Sequence, residues 1–292
     1  MSEKREIDEH SGVETTGHEW DGIKELNNPL PRWWVIIFYA TILWAVIYWV
    51  FMPAWPALPG MQGYTKGTRN YSDRETLSKD IAGLESQRAV FAKKLVGAPL
   101  TQIEKDPQLL SFALEAGRSA FANNCATCHG TGAQGAFGYP NLNDDDWLWG
   151  GKIEDIRQTI RAGARADVAE TRRSQMPAFG RDGLLKPDQV NDLVEYVVHL
   201  SGRPANAAGF ARAEPLFQQQ CASCHGHDGK GNRAFGAPNL TDGIWLYGGD
   251  RKIVHDTIWN ARGGVMPNWS ARLDQMTIDA LAVYVHALGG GE

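Results

Sequence analysis

Cys125-Ala126-Thr127-Cys128-His129-Gly130 recurs 96 residues later as Cys221-Ala222-Ser223-Cys224-His225-Gly226. A C-x-x-C pair alone can bind zinc, exchange thiols or hold haem. A histidine directly after the second cysteine selects the c-type haem attachment pattern. The spacing has a chemical reason. Two cysteines three apart on a helical turn face one side and can form thioethers to both vinyl groups of one porphyrin. The next residue then offers its imidazole to the iron as proximal ligand. One Cys₄ zinc site bridging the copies would leave both histidines unused. A thioredoxin-like reading lacks the βαβ context.

The repeat extends outward from these motifs. Pro140-Asn141-Leu142 returns as Pro238-Asn239-Leu240, and Trp147-Leu148-Trp149-Gly150-Gly151 as Trp245-Leu246-Tyr247-Gly248-Gly249. Thr159-Ile160 matches Thr257-Ile258, Met176-Pro177 matches Met266-Pro267, and Tyr196-Val197 matches Tyr284-Val285. The first copy carries an insertion, placed at Ala164–Ser174. Residues 110–202 and 203–292 thus read as a duplicated unit, with Ser201–Gly209 as the hinge between copies. Helix starts and ends recur, with no alternating strand pattern, so the fold class is all-α.

Each unit needs a sixth iron ligand. Met176 lies 51 residues after Cys125, and Met266 lies 45 after Cys221. Both precede proline, just before a final helix. A lone methionine is usually core filler, but a position repeated in both units points to a ligand. Read in chain order, Met176 belongs with the first motif and Met266 with the second. A His/Met pair raises the reduction potential and closes the iron to added ligands, which suits electron transfer. Met52, Met61 and Met276 have no repeat partner and read as structural. His199, His227, His255 and His286 read as surface or satisfied histidines. Gly130-Thr131-Gly132-Ala133-Gln134-Gly135 fits G-x-G-x-x-G but lacks the flanking strand and helix of a dinucleotide site, and reads as a turn beside the porphyrin.

Upstream, Trp33–Met52 runs 20 residues without a charge. As a helix this spans about 30 Å, one hydrocarbon core. Trp33 and Trp34 stand at one end and Trp49 and Trp55 at the other, suited to headgroup levels. Pro53, Pro56 and Pro59 end it. A cleaved signal peptide would have a basic leader and a shorter apolar core. Residues 1–32 instead hold eight acidic and four basic residues, and read as a solvated acidic tail. Residues 33–53 are therefore a transmembrane helix. Lys24 and Arg32 before it nearly balance Lys66 and Arg69 after it, which leaves orientation open on charge alone.

Residues 54–109 form a linker containing a helix. Ser72-Asp73-Arg74-Glu75 is a capping box, followed by Leu77, Ile81, Leu84, Phe91 and Leu95 at helical spacing. Asp106-Pro107 starts another helix running toward Asn124. With four cysteines in 292 residues there is no disulfide scaffold, and a net charge of −5 gives no sign of nucleic-acid binding.

Residues 110–292 resemble two class I cytochrome c domains in tandem. The resemblance implies that Gly117 and Phe121 cross a final helix at Tyr196. Phe217 and Tyr284 would do the same in the second unit, where Ala213 replaces the glycine and widens the crossing. It also implies that Pro140 and Pro238 carbonyls accept from His129 and His225. Asp21-Gly22-Ile23-Lys24-Glu25-Leu26-Asn27-Asn28-Pro29-Leu30-Pro31, ahead of a Trp-rich anchor and two haem c units, makes the whole chain similar to the dihaem subunit III of cbb3-type cytochrome c oxidases (the CcoP/FixP family).

That resemblance implies two covalently bound haem c groups, held by Cys125, Cys128, His129 and Met176 and by Cys221, Cys224, His225 and Met266. It implies an electron-transfer subunit rather than an oxygen-reducing one, in low-oxygen respiration. Its partners would be a catalytic haem–copper subunit, a monohaem cytochrome c subunit, and a donor cytochrome c or cytochrome bc complex. The N-terminus would be cytoplasmic, the anchor in the bacterial inner membrane and the haem domains periplasmic. A dihaem donor to another periplasmic or membrane reductase or dehydrogenase is the alternative. A dihaem peroxidase would need an open iron, which two matched Met-Pro sites oppose.

Overall fold

The computed structural model describes residues 6–56 and 63–292, so Pro59 and Met61 lie outside the described residues. In chain order the elements are β1 (Thr15–Trp20), β2 (Ile23–Leu26), α1 (Arg32–Phe51), α2 (Asp73–Gly97), α3 (Leu100–Ile103), α4 (Pro107–Asn124), α5 (Ala126–His129), α6 (Ile153–Ala162), α7 (Pro187–Leu200), α8 (Ala207–Gln220), α9 (Ala222–His225), α10 (Arg251–Asn260) and α11 (Gln275–His286). The fold is helix-rich, as expected. The chain divides into two compact units, residues 1–87 and 88–292.

The expected solvated acidic tail contains structure. β1 and β2 form an antiparallel hairpin pairing Trp20 with Ile23 and Glu19 with Lys24. Asp21-Gly22 makes the turn with φ values of 53° and 84°, the Asp-Gly chemistry that two-residue hairpins favour. α1 has a mean hydropathy of 2.1 and none of its side chains is buried, so it is apolar all round. The Met52 N–H closes it onto Tyr48 O at 2.8 Å before Pro53 stops it. Returning chain then caps its end, with Thr68 N–H on Val50 O at 2.9 Å.

The second unit holds the haem motifs. α2 begins within the first unit at Asp73, where Glu75 N–H reaches Ser72 Oγ at 3.4 Å, and ends in the second. Of its apolar stripe, Leu95 is fully buried and Phe91 stacks on Phe112 at 5.5 Å, while Leu77, Ile81 and Leu84 are exposed. Asp106 caps α4, accepting from Gln108 N–H at 2.9 Å and Leu109 N–H at 3.2 Å.

The helices do not sort by repeat. α4 packs against α11, and α11 also packs on α6; α7 packs against α8 and α10. Two cores result. One buries Phe121, Ile156, Ile160, Ile278, Leu281 and Val283; the other buries Val190, Leu193, Val194, Phe217, Val254 and Ile258. The expected partner of Phe121 was Tyr196. The observed partner is Tyr284, with ring centroids 5.5 Å apart, while Tyr196 meets Phe217 at 4.7 Å. The final helices are exchanged between the copies.

Backbone pairing shows how. Leaving α6, Ala164 exchanges both hydrogen bonds with Met266, each 3.0 Å. Trp269 N–H then reaches Ile160 O at 3.2 Å, so the loop leading into α11 docks on the end of α6. Symmetrically, Phe179 N–H reaches Ile258 O at 3.2 Å and Arg181 N–H reaches Trp259 O at 3.0 Å, docking the loop before α7 on the end of α10. Gly163, at φ +71°, allows the first contact, since a Cβ there would stand against the Met266–Asn268 backbone.

The crossing of α4 and α11 depends on Gly117. A Cβ at that position would strike the Ala280 carbonyl oxygen and the Tyr284 Cβ. At the other crossing, the methyl of Ala213 is accommodated and fully buried. Gly117→Ala should therefore destabilise the protein by about 1–3 kcal/mol through overpacking, although alanine favours an isolated helix by about 1 kcal/mol. Denaturant unfolding followed by helical signal tests this. A more stable variant would contradict the tight crossing.

Candidate functional site

Each haem motif closes one helix and opens a short one. Cys125 ends α4, its N–H on Phe121 O at 2.8 Å, and the turn of α5 brings His129 N–H to Cys125 O at 2.9 Å. The same bonds recur at Cys221 and His225, at 2.8 and 2.9 Å. This single turn sets two thiols and one imidazole on the same wall of an apolar cavity. Cys125, Cys128 and His129 line the first cavity, and Cys221, Cys224 and His225 line the second. No disulfide joins either pair.

The imidazoles are oriented from behind. His129 Nδ1 donates to Pro140 O at 3.0 Å, and His225 Nδ1 donates to Pro238 O at 3.0 Å, as the family resemblance implied. This leaves each Nε2 for the cavity in the tautomer that a metal needs. Burial holds both imidazoles below their ordinary pKa, partly opposed by the proline carbonyl, so they stay neutral. Burial also pushes the Cys125 thiol up to about 11 and the Cys221 thiol to about 12. Gly130 and Gly135, with φ of 83° and 74°, turn the chain after α5, and Gly135 N–H bonds His129 O at 2.7 Å.

The methionines answer to the exchange of helices. Met266 lines the cavity of Cys125, Cys128 and His129; Met176 lines that of Cys221, Cys224 and His225. The eight predicted residues are all brought together, in two groups of four. The chain-order pairing of Met176 with the first motif and Met266 with the second is corrected. The cause is that each methionine loop travels with its final helix into the other core. None of His199, His227, His255 and His286 lines either cavity. His286 Nδ1 meets Glu104 Oε1 at 2.6 Å, His227 Nδ1 meets Gln218 Oε1 at 2.5 Å, and His199 makes a tilted ring contact with Phe210 at 4.0 Å.

The cavities fit haem on their own chemistry. Their walls are largely hydrophobic, with Phe121, Ile160 and Leu281 in the first and Phe217, Leu193 and Ile258 in the second. Arg262 lines the second cavity and its Nη1 is buried with no partner, which suits a carboxylate of the cofactor. Sequence reasoning missed the arginines. Arg172 lies over Trp149 at 5.6 Å and Arg203 over Trp245 at 5.2 Å, each against a cavity-lining ring. Leu148, Leu246 and Arg165 line both cavities, so they form a wall common to the two.

Comparison with known proteins places the chain in a family. Residues 12–59 match the N-terminal domain of cytochrome oxidase-cbb3, FixP. Residues 112–197 and 208–285 match the family of cytochrome c oxidase, cbb3-type, subunit III. The chain belongs to the FixP/CcoP family of cbb3-type cytochrome c oxidase subunits. It is 53% identical to the FixP subunit of Bradyrhizobium sp. (strain ORS 278), over 100% of both chains. It is 52% identical to the CcoP subunit of Cereibacter sphaeroides, over 95% of each. It is 49% identical to the FixP subunit of Rhizobium meliloti, over 100% of both. Membership carries the electron-transfer role and implies haem c binding and a complex with a catalytic subunit. The alternative of a donor to another reductase or dehydrogenase is not favoured. With its apolar α1, the subunit is membrane-anchored.

One acidic group lines the first cavity. Burial, and then Asp242 and Asp144, raise the Asp146 pKa above the ordinary carboxylate value. An ionised carboxylate there favours the oxidised, more positive form of a bound redox group. The midpoint of that group should fall as pH rises through the Asp146 pKa. Asp146→Asn should raise the midpoint and remove this part of its pH dependence in a potentiometric titration. An unchanged profile would dissociate Asp146 from the site.

Proposed function

We propose that this subunit holds two haem c groups and passes electrons from a donor cytochrome c, or a cytochrome bc complex, toward the haem–copper subunit that reduces oxygen in low-oxygen respiration. A monohaem cytochrome c subunit of the same oxidase is the intermediate partner. The observation that carries this reading is the duplicated set of two thiols, one imidazole and one thioether around an apolar cavity.

Cys125 and Cys128 would hold the first group, with His129 and Met266 as its iron ligands. Cys221 and Cys224 would hold the second, with His225 and Met176. Haem c, when bound, supplies reversible one-electron exchange. The residues do the rest. The Pro140 and Pro238 carbonyls hold each imidazole in register and make it a better donor. The soft thioethers of Met266 and Met176 would favour the reduced form of a bound haem and keep oxygen from its iron. The apolar walls exclude water, and the shared wall of Leu148, Leu246 and Arg165 keeps the two sites adjacent. The free Nη1 of Arg262 would receive a cofactor carboxylate that would otherwise be costly to bury. α1 crosses the inner membrane with the hairpin on the cytoplasmic side and residues 88–292 in the periplasm. The family resemblance supports that orientation.

The ligand assignment makes a specific demand. In a Cys221→Ser/Cys224→Ser chain, which keeps only the first haem, Met266→Ala should lower that haem's midpoint and abolish the weak long-wavelength band of a methionine–ferric iron bond. Met176→Ala in the same background should leave both unchanged. In the intact oxidase either methionine change should slow oxygen uptake from reduced cytochrome c. A response of the first haem to Met176 alone would restore chain-order pairing. Indifference to both would remove methionine ligation altogether.

A further inference from the structure

Both methionine strands pass the wall common to the two cavities, and one side chain holds them both. Arg165 follows α6, is half-buried and lines both cavities. Its Nε donates to Gly264 O at 2.6 Å, and its Nη1 donates to Ser174 O at 3.2 Å. Gly264 stands two residues before Met266, and Ser174 stands two residues before Met176. One guanidinium therefore grips the two strands at the same register relative to their methionines. A planar fork of donors can reach two carbonyls at once, which an ammonium point charge does less well.

The backbone is built around this side chain. Arg165 has φ 55°, a left-handed conformation that is costly for a non-glycine residue. The surrounding loop overrides that cost. Arg165 N–H donates to Arg172 O at 2.8 Å, and Ala166 N–H donates to Thr171 Oγ1 at 3.0 Å. Strain held in place by neighbours is a mark of functional positions. Among the described residues this guanidinium forms no ion pair, and the Tyr247 phenol lies near it. The loop falls in Ala164–Ser174, the segment by which the first copy is longer than the second.

We propose that Arg165 is a positioning residue shared by both haem sites, fixing the approach of both axial methionines and placing one positive charge at their common wall. This rests on the haem ligation proposed above. A positive charge beside both sites favours the less positive, reduced form at each and so raises both potentials.

The test uses the full-length chain carrying both haems, in potentiometric titrations and optical spectra. Arg165→Gln should shift both midpoints to lower potential and weaken the methionine–iron band at both haems. Arg165→Lys keeps the charge but not the fork, so both midpoints should return toward the unmodified values while both bands stay weakened. A change at one haem only, or at neither, with both haems attached and methionine-ligated, would overturn the proposal. Should Arg165→Gln not accumulate with two haems, Arg165→Lys decides by the same band: weakening at both sites supports the shared clamp, and a one-sided or unchanged spectrum refutes it. Failure of the underlying ligation would show separately, as methionine variants whose spectra match the unmodified chain whatever stands at position 165.

Discussion

The reciprocal backbone pairing of Ala164 with Met266 fixes the arrangement of helices within residues 88–292. It commits the strand after α10 to the end of α6, and so commits α11 to α4. Once that is done, α7 is left to pack on α8 and α10. The geometry permits it at two glycines, Gly163 beside the Met266 strand and Gly117 beneath the Ala280 carbonyl. Neither core is complete within one copy of the repeat. The two cytochrome repeats therefore fold as one interlaced body, in which loss of one core removes a wall and a ligand from the other.

The interlacing has a redox consequence. Each cavity takes its thiols and imidazole from one copy and its thioether from the other. The wall they share contains Leu148, Leu246 and Arg165. On the proposed reading, two electron-transfer sites gain from being held at a fixed separation, and exchanged segments resist hinge motion between repeats. Some of the polar groups at the cavities have a definite place. Proline carbonyls hold the imidazoles, Asp146 lines one cavity, and Arg262 offers a buried donor in the other.

Much of this was legible in the sequence because haem chemistry constrains local spacing. Cys125, Cys128 and His129 had to share one helical turn, and they do. The repeat picked out both Met-Pro sites, and composition picked out α1. What the sequence did not reveal was which methionine serves which motif. Both copies have near-equal spacing, and a Tyr-Val final helix satisfies either Phe121 or Phe217. Pairing between copies is a property of packing, so no local pattern carries it. Arg165 escaped for the same reason: its two acceptors are backbone carbonyls at positions 174 and 264, which leave no side-chain signal. The hairpin over residues 15–26 was missed despite its Asp21-Gly22 turn, because the surrounding charge reads as a solvated tail.

The central claim is the exchange of final helices, and proteolysis between the repeats tests it most directly. A protease site inserted at the exposed Gly202 would let the haem-loaded, detergent-purified chain be cut once in the hinge. The interlaced arrangement predicts that the anchored and C-terminal fragments stay together through size exclusion, with both methionine–iron bands retained. Release of a soluble C-terminal fragment carrying its own haem, still methionine-ligated, would contradict it.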